Sequence, residues 1–134
     1  MSTPDVLIVD DDPRNCELLG RLLELEGCRV RTASTAESGL AMVAETTPDL
    51  ILLDVRMPGI DGFEACRRLR ATSAMAAGPI FLVTAFDDDD VWPDAAAAGA
   101  SGLLGKPYDR AALRRLLREL SAPASATPGG VHEA

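Results

Sequence analysis

The chain has 134 residues, enough for one domain with a real core and too few for two. A net charge of -8, a pI near 4.5 and only 4% aromatic residues argue against nucleic-acid binding, base stacking and attachment to an anionic membrane surface. Hydrophobic residues reach 47%, yet no apolar run approaches the roughly 20 residues of a membrane span. The first apolar run, Val6 to Val9, reads as a buried strand and leads directly into Asp10, Asp11 and Asp12. Asp12 is placed to cap a helix whose first residue is Pro13. In that helix Cys16, Leu19, Leu22 and Leu23 recur at helical spacing, and Gly27 can end it. Cys28 to Ala33 reads as a second strand. Ser34-Thr35-Ala36-Glu37 reads as a capping box that opens a helix through about Glu45.

Leu50 to Leu53 is an unbroken apolar run, as expected of a central parallel strand, and it ends in Asp54. A Pro/Gly-rich loop follows from Met57 to Gly62. The next helix runs to Ala71 with Phe63, Cys66 and Leu69 inward. Pro79 to Thr84 is a fourth strand, followed by the acidic tetrad Asp87 to Asp90, which reads as a solvated run leading into a short Ala-rich helix. Ser101 to Leu104 is a weak fifth strand, and Lys106-Pro107 breaks the chain. Asp109 caps a last helix with a Leu113, Leu116, Leu117 and Leu120 stripe. The domain is expected to span residues 1–121. Residues 122–134, rich in Ala, Pro, Ser, Thr and Gly, are expected to be a disordered tail. The one histidine, His132, falls in that tail and is not a catalytic candidate. Three cysteines without a CxxC pair read as buried free thiols in a reducing compartment. Met1 to Asp5 lacks the features of a secretory signal, so a cytoplasmic location is expected.

Five strand–helix units in sequence imply a parallel sheet with helices on both faces. Ligands of such sheets bind beyond the carboxyl ends of the strands. Asp10, Asp11, Asp54, Thr84 and Lys106 all fall at or just past strand ends. Packed carboxylates repel one another, and two of them can hold a hard divalent cation such as Mg2+. A third can serve as a nucleophile and form an aspartyl phosphate. An ammonium and a hydroxyl suit the remaining phosphoryl oxygens. The residue types therefore suffice for phosphoryl transfer onto a carboxylate.

From Val6 to Leu120 the chain resembles the receiver domain of bacterial two-component response regulators. Asp10-Asp11 resembles the family's acidic pair, and Asp54 to Gly62 its phosphoacceptor segment. Val83-Thr84-Ala85 resembles its switch threonine segment, and Lys106-Pro107 its lysine and cis-proline. The resemblance implies a flavodoxin-like, doubly wound sheet of five parallel strands in the order 2-1-3-4-5 with five helices. It implies that Asp54 takes a phosphoryl group from a histidine kinase or a histidine phosphotransfer protein. Mg2+ is then held by Asp11 directly, Asp10 through water, Asp54 itself and the Arg56 backbone carbonyl. It also implies that the domain catalyses only its own phosphorylation and dephosphorylation. Thr84 and Lys106 move towards the phosphoryl group, and the face of the fourth helix, fifth strand and fifth helix changes its partners.

Some positions depart from the family pattern. Leu103 stands where the family places a switch aromatic, Gly102 where it places an acid, and Pro93 and Ala96 where large aliphatics are usual. No output domain follows, so the chain reads as a single-domain regulator or as a piece of a longer regulator or hybrid kinase. Two rivals remain. A haloacid-dehalogenase-type phosphatase would use Asp10 as nucleophile and Asp12 as general acid, but leaves Asp54 and Met57-Pro58 unused. A pseudo-receiver would bind partners without being phosphorylated.

Overall fold

Strands and helices alternate through residues 3–85 and 91–121, the part of the chain that the computed structural model describes. They are β1 (Asp5–Val9), α1 (Pro13–Leu25), β2 (Arg29–Ala33), α2 (Ala36–Glu45), β3 (Leu50–Asp54), α3 (Gly62–Arg70), β4 (Ile80–Ala85), α4 (Val91–Ala97), β5 (Gly102–Lys106) and α5 (Arg110–Ser121). The five strands form one parallel sheet in the order β2-β1-β3-β4-β5. Among the described residues, no helix is long and apolar enough to cross a membrane.

Side chains alternate across the sheet with a period of two. Leu7, Val9, Ile51, Leu53, Ile80 and Leu82 join one core layer, under α2, α3 and α4. Val6, Ile8, Leu50, Leu52, Phe81 and Val83 join the other, under α1 and α5. Every residue of β3 is buried, which explains its unbroken aliphatic sequence. Arg70, at the end of α3, donates to the carbonyls of Gly99, Met75 and Gly78 and to Ser101 Oγ. It thereby ties the loops before β4 and β5 at the edge opposite the strand-end acids.

Several element ends differ from the sequence expectation. The second strand starts at Arg29, and Cys28 sits buried just before it. The cap of α2 is Thr35 and not Ser34, because Thr35 is the residue whose side chain accepts the Ser38 N–H. The fourth strand runs from Ile80 to Ala85. The fifth runs from Gly102 to Lys106, so Lys106 is its last residue and the break comes after it. Asp12 and Asp109 cap α1 and α5 as expected, accepting from Arg14 N–H and Ala112 N–H. Leu113 and Leu116 are buried, while Leu117 and Leu120 are partly so. All three cysteines are free, but Cys16 is only half-buried. The Asp87 to Asp90 tetrad, residues 122–134 and His132 lie outside the described residues.

Candidate functional site

The sheet register brings the strand ends level. Val9 pairs with Leu53, Asp54 with Val83, Thr84 with Gly105, and Ala85 with Lys106. Asp10 follows β1, its N–H donating to Ala33 O at 3.0 Å. Its side chain is 5% exposed and accepts the Asp12 N–H at 2.9 Å. Asp12 is occupied as the helix cap, so it does not project as a free acid. Asp54 closes β3 at 7% exposure, and Thr84 lies in β4 at 6%. Lys106 Nζ donates to Asp54 Oδ1 at 3.4 Å. The Lys106–Pro107 peptide is cis. Asp11 is exposed beside Asp10, and Arg56 opens the loop after β3.

Ligand oxygens of Asp10, Asp11 and Asp54 lie within 4.8 Å of one another. Burial raises the Asp54 carboxyl to about 6, the Asp10 charge adds to the rise, the Lys106 ammonium opposes it, and Asp11 adds a smaller push. A buried carboxylate beside two further acids and one lysine is short of positive charge. The donor set is all oxygen and three carboxylates strong, which fits a hard divalent cation. The five residues singled out in the sequence, Asp10, Asp11, Asp54, Thr84 and Lys106, are thus brought to one edge.

Two residues near the site were not singled out as site residues in the sequence. Cys16 Sγ donates to Asp10 O at 3.4 Å, and burial, then Asp10, Asp12, Asp11 and Asp54, push its thiol up to about 11. It lines a cleft of about 450 Å³ beside Asp10 and Asp11. Its place one turn into α1 after an acidic pair was the available clue. Gly62 packs on the backbone of Asp54 and Val55, a contact created only when α3 folds back.

The response regulator receiver domain profile matches residues 6–118. The chain belongs to the receiver domain family of two-component response regulators. This receiver domain is 42% identical over 130 residues to the transcriptional regulatory protein AfsQ1 of Streptomyces coelicolor, covering 91% of the chain and 56% of AfsQ1. It is 40% identical over 116 residues to the response regulator PleD of Caulobacter vibrioides, covering 87% of the chain and 26% of PleD. The chain therefore spans about half or less of those two relatives. PilH of Pseudomonas aeruginosa is 35% identical over 119 residues, with 87% of the chain and 97% of PilH covered. Among solved structures, the receiver domain of sensor histidine kinase PA1611 from P. aeruginosa superimposes with a TM-score of 0.82 at 29% identity, covering 90% of this chain and 100% of that one. That structure carries a magnesium ion in its active-site cleft. Family membership removes the phosphatase alternative. Leu103, at the position of the family's switch aromatic, is half-buried against the α2–α3–α4 core layer.

Proposed function

We propose that this receiver domain accepts a phosphoryl group on Asp54 from the phosphohistidine of a sensor kinase or phosphotransfer protein. The observation that carries this is the cluster of three carboxylates within 4.8 Å, with Lys106 paired to the buried Asp54 at 3.4 Å. A carboxyl held near 6 is still mostly ionised at neutral pH and remains a nucleophile. An Asp54 oxygen attacks phosphorus, the P–N bond breaks, and the imidazole leaves with the bonding pair. Lys106 turns from the Asp54 carboxylate to the new phosphoryl oxygens, and the Thr84 hydroxyl donates to another. Asp11, Asp54, the Arg56 carbonyl and, through water, Asp10 would hold Mg2+. When bound, the ion supplies positive charge where the phosphoryl oxygens come to lie. Attack by water on the same phosphorus breaks its bond to the Asp54 oxygen, releases inorganic phosphate and returns the free carboxylate, so the domain catalyses its own phosphorylation and hydrolysis and no other turnover.

Residues 1–121 make up the receiver unit. A reducing cytoplasm suits its three unpaired thiols. Downstream partners read the α4–β5–α5 face and are proteins, since the -8 charge disfavours direct binding to nucleic acid or an anionic membrane. The test is labelling with a small phosphodonor or a phosphorylated kinase, with and without Mg2+. Wild type should form a base-labile acyl phosphate only with the metal, and Asp54→Asn should form none. Wild-type yield in Asp54→Asn moves the acceptor elsewhere. No label on folded wild type supports the pseudo-receiver instead.

A further inference from the structure

Gly62 is the first residue of α3, and it sits against the strand that carries Asp54. A Cβ built there would lie 2.4 Å from Asp54 O, 2.7 Å from Val55 Cα and 3.0 Å from Asp54 C. All three are backbone atoms at the end of β3, which is buried on both faces and has no room to retreat. The requirement is for space and not for an unusual backbone angle. Gly27, Gly59 and Gly99 have positive φ, and Gly62 does not.

The same contact closes a short clamp. Val55 N–H donates to Val83 O at 3.1 Å, and Val55 O accepts from Gly62 N–H at 2.9 Å. Val55, the residue after Asp54, is therefore held between β4, one residue before Thr84, and the first turn of α3. That turn is fixed in its own right by Asp61, whose side chain accepts the Glu64 N–H at 3.0 Å. The loop that contains Arg56 begins and ends on this clamp.

We propose that Gly62 is a positioning residue for the phosphoacceptor: its missing side chain lets α3 press on the Asp54–Val55 peptide, which sets the Asp54 carboxylate against Asp10, Asp11 and Lys106. The proposal rests on Asp54 being the acceptor. Gly62→Ala brings no dihedral penalty, so it must displace either that peptide or the first turn of α3.

The variant is compared with wild type by thermal unfolding in EDTA, by Mg2+ affinity from titration, and by labelling rate with phosphoramidate at saturating Mg2+. The expected result is cooperative unfolding, Mg2+ affinity weakened about tenfold, and a labelling rate lower by roughly 10- to 100-fold, as for a reacting group misplaced by about 1 Å. A lower melting temperature with unchanged Mg2+ affinity and unchanged labelling rate would mean a purely structural glycine and would overturn the proposal. If Gly62→Ala does not fold, Asp61→Ala loosens the same turn while keeping the glycine. Weakened Mg2+ affinity in that variant supports the clamp, and wild-type affinity overturns it. The Mg2+ arm is independent of phosphorylation, so a wild type that binds Mg2+ but takes no label fails the acceptor assignment and leaves the Gly62 test standing.

Discussion

Asp54 is where folding stability and chemistry oppose each other. Its carboxyl is held near 6 in the folded chain, against an ordinary value of 3.8, with burial as the first cause and Asp10 as the second. The folded state thus binds this proton more tightly than the unfolded state. The extra stability is full below about pH 4 and is lost as pH rises to about 6. Above that, an ionised Asp54 costs the metal-free fold on the order of 3 kcal/mol. Asp54→Asn removes the charge and keeps the shape. In EDTA at pH 7.5 it should be more stable than wild type by up to about 3 kcal/mol, with the two converging below pH 4. Urea unfolding across this range checks it, and a variant less stable than wild type at pH 7.5 would refute the account. Cys16 reports the same field. With its thiol near 11, it should react with a disulfide reagent at pH 8 on the order of 10-fold more slowly than a free cysteine, the smaller thiolate fraction being partly offset by a more nucleophilic thiolate. Because four nearby aspartates contribute, Mg2+ should speed that reaction. Site-resolved mass spectrometry would show whether it does.

At the scale of elements, α4 stands apart from α5. Among described residues, α4 buries Ala95, with Ala98 just beyond it, while Val91 and Trp92 are half-buried and Pro93 occupies the first turn. α5 buries Leu113 and Leu116. A buried leucine contributes about 1.5–3 kcal/mol, well above an alanine, so α4 should have the lower local opening free energy. Hydrogen exchange at residues 91–98 should be faster than in α5, and phosphorylation should change it. Trp92, the chain's one tryptophan, should change its emission in parallel. Equal protection in both helices and no response to phosphorylation would refute this. The same contrast explains what could be read from sequence. Leu-rich α1 and α5 and the aliphatic runs of β1 and β3 announce themselves by periodicity. β5 announces itself only weakly, because two leucines between glycines give Ser101 to Leu104 a faint strand signal, and pairing with Phe81 to Ala85 carries the strand on to Lys106. The cap of α2 slipped because Ser34 and Thr35 are chemically equivalent, and only the position of the Ser38 N–H chooses between them. The site acids were legible because charge directly after a buried strand is anomalous. Gly62 and Cys16 stand in segments that were legible, but their contacts with Asp54 and Asp10 come from tertiary approach.

For the molecule as a whole, the long-range ties and the site place opposing demands on charge. Glu26, at the end of α1, accepts from Arg110 Nε at 2.7 Å and Arg114 Nε at 3.0 Å, joining the first helix to the last. Those surface charges are paired. At the opposite extreme, Asp10, Asp11 and Asp54 share a single nearby ammonium, Lys106, in a chain of net charge -8. A divalent ion that binds only the folded site must therefore stabilise the whole fold by mass action. At 100 times its dissociation constant the gain is about 2.7 kcal/mol, or a rise of about 10 °C in melting temperature for a domain of this size. Simple screening of the acidic surface would also raise stability. The two are separated by matching ionic strength with NaCl, which should reproduce only a small part of the shift. Asp11→Ala should stay folded and lose most of the Mg2+-specific rise. Lowering the pH to 5 should shrink the shift in wild type, because Asp54 then holds its proton and competes with the ion. If NaCl matches the effect of Mg2+, or if Asp11→Ala keeps the full rise, the carboxylate cluster is not the ion's site.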